Sequence, residues 1–451
     1  MVEFSRRQMV AATAALPLGT ALPAFANTVH HRLDMETIGA IPRALQSYID
    51  KGDLSGIVTM TCQRGKIVQV NTLGLRDIES RSPMQRDTLF RLASMTKPIT
   101  TSAVLMLMDE GKLKLSDPVT KWIPELANRR VLRKPDGPLG DTVRARRDIT
   151  IEDLLTHRSG LGYGFTSVGP IARAYDAAIG RFPDSRSRST DEYLAALGTL
   201  PLFYEPGERM NYGASTDVLG LMLERIEGKR LMDVLQARIF GPLGMKDTGF
   251  WVSPAKRDRL ATLYQFDERK GALGKVVDGV TARNINDPPA VCSGGGGLIS
   301  SADDYMTFAR MLQGGGRLGP VRLLKPETVR VMRTNRLTRA QRQFPFIGLS
   351  LWRGMGFGLG VATVEERTST NISNGSVGSY TWPGAYGTWW QNDPVQDLTL
   401  IYMIQQAYPL SPDAGAVIAG GRGVEHREAL PLFERMTYKA IGSPPPYARR
   451  Y

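Results

Sequence analysis

Strand-forming stretches gather toward the two ends of this 451-residue chain and leave a helical middle between them. Near the start, Ile57-Val58-Thr59-Met60-Thr61-Cys62 and Lys66-Ile67-Val68-Gln69-Val70 flank Gln63-Arg64-Gly65, a hairpin pattern. Residues 35–50, just before it, carry amphipathic helical periodicity. From 108 to about 245 the pattern is helices and long loops, with helical runs at 151–155, 191–197 and 217–226. Strand signals return in 354–360, 386–391 and 397–404, and a last helix spans 428–441. Strands from both ends around a helical middle predict one sheet assembled from the two chain ends.

The first 26 residues read as an export signal. Ser5-Arg6-Arg7 precedes the apolar run Met9–Leu16, and Ala24-Phe25-Ala26 offers a small-x-small cleavage site. The paired arginines point to the twin-arginine route, hence to a periplasmic or secreted protein. No cysteine stands at the cleavage site to take a lipid, and no other apolar run approaches the roughly 18 residues of a membrane span. The segment 443–451 reads as a loose tail. Cys62 and Cys292 are expected as two buried thiols, since a chain this long needs no disulfide. The formal charge is +13, with a basic cluster at Arg129, Arg130, Arg133, Lys134, Arg144, Arg146 and Arg147. It has no interleaved aromatics, so a solvated loop is expected rather than a nucleic-acid surface.

The chemistry concentrates at Ser94-Met95-Thr96-Lys97. A serine and a lysine three places apart at a helix start share one face, one turn apart. That geometry suits a serine nucleophile whose proton acceptor is an amine. The run 101–110 is strongly helical, Gly111 supplies a stop, and Pro98 falls in the first turn where a missing N–H costs little. The helix N-terminus adds positive potential beside Ser94, favouring an oxyanion there. Ser253-Pro254-Ala255-Lys256 repeats the spacing without an apolar helix behind it, and Ser253 reads as a cap or loop residue.

Other chemistries fit poorly. The four histidines, His30, His31, His157 and His426, include no metal-binding pair, and no G-x-S-x-G occurs. His157 reads as a structural brace. Gly294-Gly295-Gly296-Gly297 lacks both phosphate-loop and dinucleotide signatures, and reads as a strand or turn of close backbone approach. No cofactor or metal is expected. A lysine-type site needs its amine neutral, or relayed through a phenol, for part of the cycle. Tyr212, just before the 217–226 helix, is the candidate phenol.

Taken in order, Phe90 to Lys97, Leu154 to Leu161, Pro206-Gly207 to Tyr212, Gly244 to Thr248 and Gly295 to Ser300 resemble the serine β-lactamase and penicillin-binding-protein superfamily. The branch is the one holding class C β-lactamases, DD-peptidases and family VIII carboxylesterases. The resemblance covers roughly 40–410. It implies an α/β plus α fold: an antiparallel sheet flanked by helices, built from both chain ends, with an inserted mostly helical domain. The expected parts are 27–107 and 246–442 for the α/β domain and 108–245 for the helical one.

The resemblance also implies that Ser94 is acylated and that Lys97 and Tyr212 share the general-base and general-acid roles. The third family element, a strand bearing K-T-G, H-x-G or W-x-G, fits Trp382-Pro383-Gly384-Ala385. Ser94 and Ala385 would then supply the oxyanion-hole N–H groups, with Trp382 and Gly384 contacting substrate. Proline is tolerated at 383 if its nitrogen faces away from the sheet ladder, as the Ala385 N–H would.

Two departures stand out. The Y-x-N element reads Tyr212-Gly213-Ala214, without its asparagine, and Trp382 replaces the lysine that attracts a substrate carboxylate. Both weaken recognition of β-lactams and peptidoglycan peptides, and an aromatic wall suits an uncharged acyl or alcohol group. The pattern is closest to family VIII esterases, with a small-molecule ester as substrate and no nucleic-acid partner or membrane insertion. A β-lactamase or DD-peptidase, an acyl transferase and a non-catalytic envelope-binding protein are the competing readings.

Overall fold

Strands buried on both faces build the centre of the molecule. The computed structural model describes residues 33–442 apart from 167, 181–188, 268, 277–284, 347–350, 369–371 and 408–424. The expected export signal (1–26), His30, His31, the side chain of His426 and the tail 443–451 lie outside the described residues. Eight strands form the main sheet: β1 (Gly56–Gln63), β2 (Lys66–Asp77), β3 (Ser82–Pro83), β4 (Met355–Phe357), β5 (Ala362–Val364), β6 (Tyr380–Thr381), β7 (Trp389–Asp393) and β8 (Leu398–Met403). Their spatial order is β4-β5-β6-β7-β8-β1-β2-β3, with every pairing antiparallel. The two chain ends meet at β1 and β8, where Val58 pairs with Met403 and Met60 with Ile401.

Both faces of that junction are covered, so successive side chains enter different cores. Ile57, Leu398, Leu400 and Tyr402 pack under α1 (Met35–Asp50) and the C-terminal helix Ala429–Ala440. Val58, Met60, Ile401 and Met403 belong to the larger core on the other side. Helix α1 starts where the Asp34 carboxylate accepts from the Glu36 and Thr37 N–H groups, and buries Ile38, Ile41 and Leu45 on one stripe. The Asp34 N–H donates to Ala440 at 2.8 Å, which ties the first helix to the last.

The larger core is entered by α2 (Thr96–Asp109), whose residues 96–105 are all buried. Helix α3 (Ser215–Glu227) packs beside it, and α4 (Ala302–Gln313) covers the sheet, capped by Ser301 Oγ accepting from the Asp304 N–H. Cys62 and Cys292 are buried thiols, not joined by a disulfide.

Several local expectations are revised. The 354–360 run is a strand only at Met355–Phe357, because the chain turns where the Gly358 N–H donates to Val361 and returns as β5. The strand expected at 386–391 begins at Trp389, since 385–387 form a turn. The basic cluster is a short hairpin, Arg130–Leu132 against Thr142–Arg144. Arg129 is buried, and its guanidinium donates to the carbonyls of Leu197, Gly198 and Leu200 at the end of the helix Thr190–Thr199. Carbonyls at a helix C-terminus lack intrahelical donors, and a guanidinium supplies several at once. No helix among the described residues is long and apolar enough to cross a membrane.

Candidate active site

Ser94 is placed by a strand that stops short. Leu89–Arg91 pairs with Ile299–Ser301, and the Leu92 N–H extends that pairing to the Leu298 carbonyl at 2.9 Å. Ala93 then adopts φ 46°, a left-handed conformation that costs a non-glycine residue energy and turns the chain abruptly. A 3₁₀ turn over Ala93–Met95 leads into α2. Ser94 is thus half-buried at the start of the helix, and Lys97 follows on its first turn.

Lys97 is almost wholly buried, at 1% exposure. Its ammonium donates to Ser94 Oγ at 3.2 Å and to the Gly295 carbonyl at 2.6 Å. It also lies 4.6 Å from the centre of the Tyr212 ring and 5.9 Å from that of Tyr163. Among the described residues no carboxylate comes within ion-pair distance of it. The nearest compensation runs through the backbone of one residue, Gly295. Asp217, in the first turn of α3, accepts the Gly295 N–H at 3.0 Å, while the Gly295 carbonyl accepts from Lys97.

Asp217 is itself buried and takes two more hydrogen bonds, from the Tyr163 hydroxyl and the Ser293 hydroxyl, each at 2.5 Å. Burial, reinforced by the Asp217 charge, pushes the Tyr163 phenol well above the usual tyrosine range, so it stays a donor. The glycine run at 294–297 is therefore a turn, held from behind by a carboxylate and presenting a carbonyl to Lys97. Sequence reasoning flagged the glycines as a place of close approach, but read Asp217 only as the start of a helix and missed Tyr163.

Tyr212 arrives from the loop before α3. Its hydroxyl donates to Ser94 Oγ at 2.6 Å and accepts the Trp382 indole N–H at 3.4 Å. The backbone around it is pinned. The Asn211 N–H donates to the His157 carbonyl at 2.7 Å, Asn211 Nδ2 to the Leu161 carbonyl at 2.9 Å, and the Gly213 N–H reaches His157 Nδ1 at 3.5 Å. The His157 imidazole is fully buried against the Tyr212 ring, centroids 4.8 Å apart. Burial, and then the charge of Lys97, lowers its pKa well below the ordinary value, so it stays neutral and acts as an acceptor.

The Trp382–Ala385 segment closes the third side. The β6–β7 register pairs Tyr380 with Asn392 and Thr381 with Gln391, and it continues to Gly384, whose N–H donates to Thr388 at 2.7 Å. The Gly387 N–H returns to the Gly384 carbonyl at 3.1 Å and Gly387 has φ 82°, a three-residue hairpin loop ending in a left-handed glycine. Ala385 is the first residue of that loop, and no bond of the hairpin uses its N–H. Pro383 falls opposite Trp389, at a pair where antiparallel geometry turns the backbone nitrogen away from the partner strand. Gly384 lies so close to the Ser94 turn that a Cβ there would sit 2.2 Å from the Leu92 carbonyl oxygen.

Trp382 is not a wall of the open site. It is 2% exposed and packs its ring among Tyr212, Phe346 and Phe357. The open space is a cavity of about 390 Å³ bordered by Tyr212, whose lining also includes Tyr204, Arg209, Phe344, Phe346 and Trp352. None of these residues stands out in the sequence, because each is an aromatic or basic side chain in a loop or, for Trp352, a short 3₁₀ turn. Ser253 takes no part: it precedes a 3₁₀ turn, and Lys256 donates to the Lys246 carbonyl and pairs with Asp247. Among the described residues no group of three His, Cys, Asp or Glu side chains could hold a metal ion.

Comparisons with known proteins bear on the family of the whole chain. A family model described as Beta-lactamase matches residues 41–420. Protein Rv1367c of Mycobacterium tuberculosis (strain ATCC 25618 / H37Rv) is 49% identical over 402 residues, covering 88% of this chain and 98% of that protein. Esterase EstB of Burkholderia gladioli is 34% identical over 369 residues, covering 79% of this chain and 87% of that one. Among solved structures, EstCE1, described as a hydrolase with promiscuous acyltransferase activity, has a TM-score of 0.70 at 28% identity and covers 88% of this chain and 98% of its own.

Proposed function

The chain belongs to the β-lactamase family, in its class C-like part, and on that footing we propose that it hydrolyses small carboxylic esters through an acyl-enzyme on Ser94. One observation carries the reading. Ser94 Oγ lies 2.6 Å from the Tyr212 hydroxyl and 3.2 Å from the Lys97 ammonium, beside a cavity with aromatic walls. In the first half-reaction the Lys97–Tyr212 pair must enter one proton short, as a neutral amine or a phenolate; Ser94 Oγ bonds to the ester carbon, its proton passes into that vacancy, and the C–O bond to the alcohol breaks as the proton reaches the leaving oxygen. In the second half-reaction water adds to the acyl carbon, loses its proton to the same pair, and expels Ser94. The N–H groups of Ser94 and Ala385 stabilise the oxyanion in both halves, each worth about 3 kcal/mol.

Ester rather than lactam chemistry is supported by what the site lacks. The asparagine that would follow Tyr212 by two places is Ala214, and a tryptophan occupies the position of the strand lysine. The name of EstB, an esterase, points the same way. Acyl transfer is the second reading, favoured by the EstCE1 description, and differs only in whether an alcohol replaces water as acceptor. A purely binding role accounts poorly for an intact Ser94–Lys97–Tyr212 cluster. We also propose export, supported by Arg6-Arg7, the apolar run after them and Ala24-Phe25-Ala26. Fusing residues 1–26 to a reporter that matures only outside the cytoplasm tests it.

The test of function is a burst of p-nitrophenol from a short-chain nitrophenyl ester. Ser94→Ala should abolish both the burst and the acylated species seen by intact mass, and Ser253→Ala should leave both in place. Turnover of nitrocefin far faster than of any ester would replace esterase by lactamase.

A further inference from the structure

The cavity beside Tyr212 holds a guanidinium that donates no hydrogen bond to any of the described residues. Arg209 lies three residues before Tyr212, in a loop fixed on both sides. Gln341 Nε2 donates to the carbonyls of Gly207 and Glu208 at 2.9 and 3.0 Å, and the Asn211 N–H donates to His157. The Arg209 guanidinium carbon sits 4.0 Å from the centre of the Tyr204 ring and 3.9 Å from that of Phe344, between the two. These contacts hold the group in place and leave its in-plane N–H donors to find acceptors of their own.

Those donors are unanswered. Arg209 Nε is buried without a hydrogen-bond partner, and among the described residues no oxygen accepts from either terminal nitrogen. Its ion-pair neighbour, Glu208, is exposed and stands 3.6 Å from Nε, beyond hydrogen-bonding distance. The other Glu208 oxygen already accepts the Glu205 N–H. Asp136 also lines the cavity but makes no ion pair with Arg209. The Arg209 side chain keeps 26% of its surface exposed, so water serves the terminal nitrogens where the protein offers no acceptor, and a carboxylate that displaced that water would match the guanidinium fork with two parallel bonds.

We propose that Arg209 recognises a carboxylate on the substrate, remote from the scissile bond, so that the preferred ester is an anion with an apolar body. The inference rests on the ester-hydrolase reading. It also reverses the expectation of an uncharged substrate drawn from the loss of the strand lysine. The cation has not vanished from the site but stands three residues before Tyr212, in the lining of the cavity that Tyr212 also borders. The carboxylate belongs either to the acyl half, as in a half-ester of a dicarboxylic acid, or to the alcohol half, as in an ester of a hydroxy acid.

Two matched pairs separate these sources. One is the p-nitrophenyl half-ester of glutaric acid against p-nitrophenyl butyrate. The other is butyryl 4-hydroxybenzoate against its methyl ester. In the wild type at least one pair should favour the anion in kcat/KM by about tenfold or more, and Arg209→Gln should lower that ratio by about tenfold. A wild-type preference for the neutral member of both pairs, or a ratio unmoved in Arg209→Gln, overturns the proposal, and the first of these needs no variant. Calorimetric binding of glutarate and of 4-hydroxybenzoate to Ser94→Ala reads the same site without turnover. If no ester is hydrolysed by the wild type but one carboxylate binds and is lost with Arg209→Gln, the hydrolase reading fails and the anion site stands. If esters turn over and neither carboxylate binds, the anion site fails alone.

Discussion

The Gly295 carbonyl accepts the Lys97 ammonium at 2.6 Å, closer than Ser94 Oγ at 3.2 Å. The amine is therefore aimed by a backbone group whose own position depends on Asp217, which takes the Gly295 N–H, the Ser293 hydroxyl and the Tyr163 hydroxyl. An asparagine at 217 keeps the volume but turns one acceptor into a donor facing donors. Asp217→Asn should therefore cost about 1–3 kcal/mol of stability per mismatched bond. It should also lower kcat by up to about a hundredfold through misplacement of Lys97, with little change in KM. Thermal melting and single-turnover acylation check the two effects separately. A kcat within twofold of wild type would show that Lys97 does not need the Gly295 carbonyl.

Tyr212 has a different signature. Its hydroxyl is the shared point between Ser94 Oγ and the Trp382 indole N–H. Tyr212→Phe keeps the ring against His157 and removes that point. The expected loss in kcat is about 10²–10⁴-fold, the usual reach of a positioned acid–base group. The melting temperature should fall by less than for Asp217→Asn, because only one buried donor, the indole N–H, is left unpaired. Measuring both variants with one ester and one melting protocol makes the contrast direct.

How far the sequence foretold this site follows from what each residue depends on. Ser94, Lys97 and the helix behind them are local: spacing, an apolar run and a terminal glycine mark them without reference to the rest of the fold. The two-ended sheet was legible for the same reason, since β-type runs such as 57–62 and 397–404 declare themselves one by one. Asp217 meets Tyr163, Ser293 and Gly295, Gly295 meets Lys97, and Arg209 meets Phe344 only through the fold, and nothing near them in sequence records those distant partners. Trp382 illustrates the same limit. Its identity suggested a substrate wall, yet burial against Tyr212, Phe346 and Phe357 makes it a support for the phenol. Arg129 resembles its basic neighbours in sequence, and only the fold brings carbonyls at the end of the helix Thr190–Thr199 to it.

Gly384 tests the placement of the Ala385 N–H. A Cβ at 384 would meet the Leu92 carbonyl oxygen and Thr388 Oγ1 at 2.2 Å each, and neither can withdraw easily. Leu92 is held by Leu298 and leads directly into the Ser94 turn, while Thr388 Oγ1 donates to the Leu92 carbonyl at 3.0 Å. Gly384→Ala should push the hairpin loop away from Ser94, at a cost of about 1–3 kcal/mol in strain. If Ala385 supplies an oxyanion donor, kcat falls by about 10²–10³-fold, comparable to deleting that donor. A variant that melts lower yet turns over normally would remove Ala385 from the oxyanion hole.

Two buried titratable groups set opposite slopes on stability. Glu434 on the C-terminal helix accepts the Asn374 N–H and Asn374 Nδ2, each at 3.0 Å, but burial outweighs both and raises its pKa to about 8. The folded chain thus keeps a proton that the unfolded chain releases near pH 4.5. Its contribution is fully present below pH 4.5 and is lost as pH rises through about 8. His157 runs the other way. Its folded pKa is depressed by burial well below 6.5, so its contribution is present above pH 6.5 and is lost as pH falls from there toward the folded value. Glu434→Gln keeps an acceptor for Asn374 and cannot ionise, so its melting temperature relative to wild type should rise steadily from pH 5 to pH 8. His157→Gln keeps an oxygen for the Gly213 N–H and should lose the acid-side slope while leaving the alkaline one. Melting curves for both variants at pH 5, 6.5 and 8 decide the matter: parallel curves for Glu434→Gln and wild type would mean that this carboxyl is ionised in the folded protein.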